Sequence, residues 1–179
     1  MRVRRRAVRT CAGVMSAGSA VASLVTIAAC GAPGHAVAPG HAVVETVIDG
    51  DTIDVLIGGR NERVRLLGVD TPEIAHAGAP GRPGNAAECF GEAAARFTAG
   101  LLPPGTGVLL ERDVVARDDY GRLLAYVRRA DDGLFVNDEL LRQGFAETLL
   151  IDPNRAHASR FVEASRLAEQ AEAGLWAQC

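Results

Sequence analysis

Residues 65–73 read Arg-Leu-Leu-Gly-Val-Asp-Thr-Pro-Glu, and upstream of them residues 47–52 read Val-Ile-Asp-Gly-Asp-Thr. Each segment ends an apolar, β-like run with carboxylates, where an ordinary hairpin needs only plain turn residues. A third segment, residues 118–126, reads Asp-Asp-Tyr-Gly-Arg-Leu-Leu-Ala-Tyr and adds a second arginine. Carboxylate oxygens beside arginine suit a hard cation and a phosphate held together. The three segments therefore predict a site for both.

The pattern of apolar residues around these segments predicts a small β structure with helices. Three strands in direct succession favour a small antiparallel barrel or sandwich over alternating βαβ units. Gly and Pro between residues 74 and 87 indicate an exposed loop before the first helix. The full prediction is strands at 42–48, 52–57, 62–69, 107–114 and 123–129, with helices at 90–102, 137–144 and 154–174.

Residues 1–29 predict a secretory signal peptide of the lipoprotein type. A basic start rich in arginine precedes an apolar, small-residue stretch that is too short and too rich in Gly and Ser for a membrane span. The stretch ends Ile27-Ala28-Ala29-Cys30, which resembles a bacterial lipobox and implies lipidation of Cys30. Ordinary secretory cleavage nearby is the alternative. We expect an exported chain, lipid-anchored on the outer face of the cell membrane or, alternatively, secreted.

Residues 30–41 are rich in Gly, Pro, Ala and His and predict a flexible tether, which leaves residues 42–179 as one domain. The 19 basic residues are all arginine, and five of them lie in the signal, which leaves 14 against 22 acidic residues. Overall attraction to polyanions is therefore excluded. Any binding of nucleic acid has to use a local cation and a few arginines.

Taken together, the three motifs resemble the staphylococcal nuclease (thermonuclease) family. Asp-Gly-Asp-Thr alone is weak, but Arg-x-x-x-x-Asp-Thr-Pro-Glu followed by Asp-x-Tyr-Gly-Arg is much more specific. The resemblance covers roughly residues 42–177. It implies an α+β fold that is mainly β: a five-stranded OB-fold Greek-key β-barrel with three helices.

The resemblance also implies a calcium site made by Asp51, Asp70 and the backbone carbonyl of Thr71. Two carboxylates with a carbonyl and waters suit Ca²⁺, which tolerates irregular oxygen cages. Strict alternation from Arg65 would place Asp70 on the opposite face of the strand. The chain must therefore bulge or leave the strand, and Gly68 is well placed for that break.

Catalytic roles follow from the resemblance in the same way. Glu73 matches the glutamate that orients or deprotonates the attacking water. Arg65 and Arg122 match the two arginines that hold the scissile phosphate, although a surface ion pair is the alternative for Arg122. Tyr120 matches a tyrosine that contacts a substrate phosphate, with a barrel-packing tyrosine as the alternative. Asp49 matches an acid near the metal, and turn formation is its simpler interpretation.

Other polar residues have structural interpretations or none. Asp118 predicts a loop hydrogen bond, and Asn137 predicts a helix cap. The histidines show no ligand spacing and are assigned no role; they are His35, His41, His76 and His157. Cys89 and Cys179 predict a disulfide in an exported chain, with two free thiols as the alternative.

Two departures from the family pattern bear on substrate binding. Asp119 stands where the family commonly has a basic residue, and it replaces a phosphate contact with repulsion. Residues 147–152 contain no aromatic residue, whereas family members often have a base-stacking tyrosine there, near Leu149 and Leu150. Because stacking contributes roughly 1–3 kcal/mol per base, we expect weaker substrate binding and an altered base preference.

The sequence therefore predicts an exported, Ca²⁺-dependent endonuclease that hydrolyses DNA and RNA to products with 3′-phosphate ends. We expect a preference for single-stranded substrate and a monomeric chain. Two alternatives stay open. One is a catalytically inactive nucleic-acid-binding OB-fold module, and the other is a surface lipoprotein whose barrel binds another ligand such as a saccharide or peptide.

Overall fold

The computed structural model describes residues 40–78 and 83–179. The signal peptide predicted for residues 1–29, the lipidation of Cys30 and residues 30–39 of the tether lie outside the described residues and stay predictions. The tether prediction is wrong for Gly40 and His41, which begin the first strand and pair with Leu110 and Leu109. Among the helices that are described, none has the length and apolar character needed to cross a membrane.

Five strands form a closed barrel with the neighbour order β1-β2-β3-β5-β4. Neighbours are antiparallel except β3 and β5, which run parallel. Apolar residues alternate into the barrel, where Ile53, Val55, Val64 and Leu66 are fully buried. The bounds are β1 Gly40–Val47, β2 Thr52–Ile57, β3 Arg60–Leu66, β4 Gly107–Glu111 and β5 Leu123–Arg129. The predicted five-stranded OB-fold barrel is confirmed.

The three predicted helices are also present, and a short fourth one follows them. The bounds are α1 Gly91–Leu101, α2 Val136–Arg142, α3 Ala158–Gln170 and α4 Leu175–Gln178. In α3, Phe161, Ala164 and Ala168 form the buried stripe, at the spacing of an amphipathic helix. The predicted start of α3 at Asn154 is wrong, because the Asn154 side chain instead pairs with both backbone groups of Val115. That pairing holds residue 154 in the preceding loop.

Asn137 is not the helix cap that the sequence predicts. It lies inside α2, fully buried, and Phe135 occupies the N-cap position. Its Oδ1 accepts a hydrogen bond from the Val127 N–H at 2.8 Å, and its Nδ2 donates to the Leu67 carbonyl at 2.8 Å. Asn137 therefore joins α2 to β5 and to the segment that leaves β3.

A disulfide joins Cys89 and Cys179, as the sequence predicts. Their Cα atoms are 5.9 Å apart, and 90 residues of sequence separate them. The bond connects the segment just before α1 to the end of α4. Glu88, the residue next to Cys89, exchanges backbone and side-chain hydrogen bonds with Glu73. The cross-link therefore lies beside a residue to which the sequence assigns a catalytic role.

Candidate active site

The turn between β1 and β2 positions Asp51. Its N–H donates to the Asp49 carboxylate at 3.1 Å, and the Thr98 hydroxyl donates to the Gly50 carbonyl at 2.6 Å. A Cβ atom on Gly50 would lie within 2.7 Å of the Thr71 side chain, so only glycine allows this close approach. The turn is thereby held against the Thr71 segment, and Asp51 is left only 5% exposed.

Asp51 and Asp70 meet at a single guanidinium group. Nη1 of Arg65 lies 2.8 Å from Oδ2 of Asp51, and Nη2 lies 2.7 Å from Oδ1 of Asp70. Nη1 also donates to the Val69 carbonyl at 2.8 Å. Arg65 and Asp51 are both buried, whereas the Asp70 side chain is 55% exposed, so only the Arg65–Asp51 contact is a buried ion pair. The structure therefore brings together both carboxylates that the sequence proposes as metal ligands, Asp51 and Asp70.

The chain leaves β3 between Arg65 and Asp70, as the alternation argument requires. The strand ends at Leu66, and Gly68 follows with a φ of +79°. A Cβ atom on Gly68 would collide with the Phe161 ring, so both the backbone angle and the space require glycine. Asp70 then pairs with Glu147 in an isolated bridge, which fixes it beyond the strand end.

Thr71 completes the environment of the Asp51 carboxylate. Its backbone N–H and its hydroxyl both donate to Oδ2 of Asp51, at 2.9 and 3.2 Å. Within the described part of the chain, the Thr71 carbonyl accepts no hydrogen bond. That oxygen, which the sequence proposes as a metal ligand, is therefore free to bind a metal ion.

Negative charge exceeds positive charge around these side chains. Burial raises the pKa of the Asp51 carboxyl to about 7; Arg65 opposes this rise, and the nearby carboxylate of Asp49 adds to it. Asp70 raises it further. With Glu73 the site contains four carboxylates, which we call the carboxylate cluster: Asp49, Asp51, Asp70 and Glu73. Arg65 alone does not balance them.

The side chains of Glu73 and Asp49 lie close to that of His76, to which the sequence analysis assigned no role. One ligand atom of each residue lies within 4.8 Å of the others. Glu73 is held by its backbone, since its N–H donates to the Glu88 carboxylate at 3.0 Å and its carbonyl accepts from the Glu88 N–H at 2.9 Å. Partial burial and then the Asp49 charge raise the pKa of Glu73. Residues 73–76 form no helix, so the spacing of three between Glu73 and His76 contains no signal of this proximity in the sequence.

Arg122 lies directly before β5. Arg65 pairs with Leu124 across the parallel ladder, and Arg122 is two residues before Leu124, just outside the strand. Strand spacing of about 4.8 Å and a rise of about 3.3 Å per residue place the Cα atoms of the two arginines roughly 8 Å apart. The Arg122 guanidinium pairs with Asp118, at 2.6 Å between Nε and Oδ2, and not with Asp51 or Asp70.

The loop before β5 is organised by Asp118. Its carboxylate accepts the N–H groups of Tyr120 and Arg122, at 3.0 and 2.8 Å, which confirms the predicted loop hydrogen bond. Tyr120 is 86% exposed, which excludes the alternative of a barrel-packing tyrosine. The Arg122 guanidinium lies 5.6 Å from the centre of the Tyr120 ring. Together they line an outer cleft of about 340 Å³, along with Asn61, Glu62 and Arg63.

Comparison with known proteins gives a consistent result. Residues 63–178 match the family model described as "Staphylococcal nuclease homologue". The chain is 37% identical to the thermonuclease of Staphylococcus intermedius over 134 residues, which cover 75% of this chain and 74% of that protein. It is 35% identical to the thermonuclease of Staphylococcus hyicus over 130 residues, covering 73% and 72%. Identity to the endonuclease YncB of Bacillus subtilis is 32% over 139 residues, covering 77% and 62%. The chain belongs to the staphylococcal nuclease family.

Proposed function

We propose that this chain is an exported, calcium-dependent endonuclease that hydrolyses DNA and RNA. In this proposal it cleaves the P–O5′ bond, leaves 3′-phosphate ends and prefers single-stranded or frayed substrate. Family membership and the thermonuclease and endonuclease relatives support phosphodiester hydrolysis. The observation that carries the proposal is the convergence of Asp51 and Asp70 on one buried guanidinium, with Glu73 in the same carboxylate cluster.

The donor set fits a calcium ion. Asp51, Asp70 and the Thr71 carbonyl would hold it, and all three offer only oxygen, the donor that a hard cation prefers. The excess of carboxylates over arginine supports a divalent cation here. When bound, calcium supplies positive charge for the phosphoryl oxygens on which charge develops.

The protein's own side chains supply the remaining chemistry. Glu73 is exposed enough to reach a water and accepts its proton as that water attacks the phosphorus. Arg122 lies at the outer cleft, where its planar guanidinium donates to two phosphate oxygens. Arg65 provides a second donor once its Nη2 group leaves Asp70. Tyr120, exposed beside Arg122, contacts a phosphate of the substrate.

Substrate binding is expected to be weaker than in relatives that have a basic residue at the position of Asp119 and an aromatic residue in the segment around Leu149. Asp119 is exposed next to Tyr120 and adds negative charge to the outer cleft. Leu149, half-exposed, stands in the segment without an aromatic residue. A lost stacking contact costs roughly 1–3 kcal/mol, while the residues that carry the chemical step are all present.

Export is supported by the N-terminal sequence and by the disulfide. A cross-link between Cys89 and Cys179 persists in an oxidising compartment and not in a reducing one. We propose that the chain is held on the outer face of the membrane by lipid on Cys30, or is secreted after ordinary cleavage. It acts as a monomer in this proposal.

The test is release of acid-soluble nucleotides from denatured DNA and from RNA, with calcium and with chelator. Glu73→Gln is expected to lower the rate by about 10² to 10⁴, the usual contribution of a general base. Glu169→Gln, an exposed glutamate on α3, is the matched control and should leave the rate unchanged. Full activity in chelator would refute calcium dependence. DNA binding without hydrolysis would favour the inactive binding module instead.

A further inference from the structure

The barrel has a second cleft at its open mouth, where β2 and β4 end and β3 and β5 begin. This mouth cleft has a volume of about 340 Å³. Clefts of about 300–1,000 Å³ hold small ligands, and the mouths of β-barrels are among their preferred positions. The cleft has an apolar floor and an arginine-rich rim, formed by Ile57, Leu110 and Leu123 below and by Arg60, Arg112 and Arg117 above.

Two of the three rim arginines are uncompensated. Arg117 is neutralised, since its Nη2 pairs with Glu62 at 2.9 Å and its Nη1 donates to the Gly121 carbonyl at 2.7 Å. Arg60 and Arg112 are exposed and form no ion pair with any residue that the structure describes. Arg60 and Arg112 therefore place positive charge beside an apolar floor without a described carboxylate to balance it. A phosphate with a flat base attached matches that surface.

The mouth cleft continues from the outer cleft at Arg122. Glu62 lines both clefts, and the Arg117–Gly121 hydrogen bond joins their walls. Arg122 directly precedes Leu123, which pairs with Val64, so it lies beside Arg63 on the neighbouring strand. Arg60 is three residues from Arg63, and a rise of about 3.4 Å per residue with a strand spacing of about 4.8 Å places the Cα atoms of Arg60 and Arg122 roughly 11 Å apart. Stacked nucleotides advance about 3.4 Å each, so roughly three of them cover this distance.

We propose that the mouth cleft binds a further nucleotide of the same single strand, about three nucleotides from the scissile phosphate. Arg60 and Arg112 hold its phosphate, and the apolar floor receives its base. The proposal rests on the proposed function, because it takes Arg122 to mark the scissile phosphate. The affinity for substrate should therefore depend on strand length, whereas the rate of hydrolysis should not.

The experiment compares a dinucleotide and a 12-nucleotide single strand as substrates for the full chain with calcium. The double variant Arg60→Ser/Arg112→Ser should raise KM for the 12-mer about tenfold and leave kcat and the dinucleotide KM unchanged. The slope of log KM against log salt should fall by about 0.7, since the two arginines hold one phosphate and each phosphate neutralised on a single strand contributes about 0.7. Arg142→Ser, exposed and outside both clefts, is the control and should change nothing.

An unchanged 12-mer KM, an equal rise for both substrates or the same rise in the control would overturn the proposal. If the wild-type chain cleaves neither substrate, the proposed function fails, and the fluorescence anisotropy of a labelled 12-mer still decides this inference. Equal affinity of wild type and double variant would then overturn it.

Vesicles that contain phosphatidylglycerol form a separate arm. If the double variant loses binding to them but not to the 12-mer, the cleft serves a membrane and the proposal is wrong.

Discussion

Replacing Arg65 with glutamine removes the one guanidinium that contacts both Asp51 and Asp70. If calcium uses the same two carboxylates, arginine and cation repel each other in the wild-type chain. The variant should therefore bind calcium more tightly, although it loses activity because a phosphate donor is missing. An increase in metal affinity with a loss of activity is a combination that a merely misfolded variant would not produce.

The magnitude follows from the contacts. The Nη atoms lie 2.7 and 2.8 Å from the carboxylate oxygens, and calcium–oxygen distances are about 2.4 Å, so a cation that shares one of these oxygens lies about 5 Å from the guanidinium. Repulsion between charges of +2 and +1 at ~5 Å is about 1.7 kcal/mol even in a water-like dielectric, so the affinity should rise by a factor of at least about seventeen. In chelator, loss of one partner of a buried ion pair costs about 3–5 kcal/mol of unfolding free energy.

Calorimetric titration of calcium into the metal-free chains measures the affinity, and urea unfolding with chelator and with calcium measures the stability. We expect the stability loss in Arg65→Gln to shrink when calcium is saturating. Arg63→Gln is the matched control, because Arg63 pairs with Asp54 on the same two strands but is half-exposed. It should cost less than about 1 kcal/mol in both conditions. Unchanged or weaker calcium binding in Arg65→Gln would refute a shared site.

Three further changes test the fold and the site. Asn137→Leu keeps the volume but leaves two buried backbone groups unpaired, so it should lower the unfolding free energy by about 2–4 kcal/mol. Urea unfolding measures this change, and a loss under about 1 kcal/mol would contradict the bridging role of Asn137. Replacing Cys89 and Cys179 with serine opens a loop of 90 residues and should cost about 4 kcal/mol, with unchanged stability as the contrary result. Arg122→Ala should lower kcat/KM by about 10² to 10³ in the nucleotide-release assay and leave calcium affinity intact. Weakened calcium binding would show that Arg122 supports the metal site instead.

Alternation and turn chemistry were enough to predict most of the fold. The inward positions of β2, Ile53 and Val55, are buried as their period of two predicts. The break at Gly68 could be predicted because Arg65 and Asp70 are five residues apart, and an unbroken strand would place them on opposite faces. The predicted strand 107–114 is three residues too long, because β4 ends at Glu111. The start of α3 could not be predicted either, since Asn154 binds Val115 from 39 residues away. Local sequence contains no signal for such a distant partner.

The same limit applies to the candidate site. Motif order indicated that Asp51, Asp70 and Arg65 belong together, but not that the arginine would bond to both carboxylates. His76 was missed because its neighbours come from different segments, and only Glu73 is near it in sequence. Asn137 was misinterpreted for a similar reason, since a polar residue at a helix start is usually a cap and its actual partners lie on other elements.

The position of the Cys89–Cys179 bond has a consequence for the host cell. The bond closes next to Glu88, whose carboxylate and N–H fix the backbone of Glu73. Under the proposed export, a newly made chain in the cytosol would have reduced thiols, and we expect the Glu88–Glu73 contact to be held less firmly there. We therefore expect the reduced chain to have lower nuclease activity than the oxidised chain.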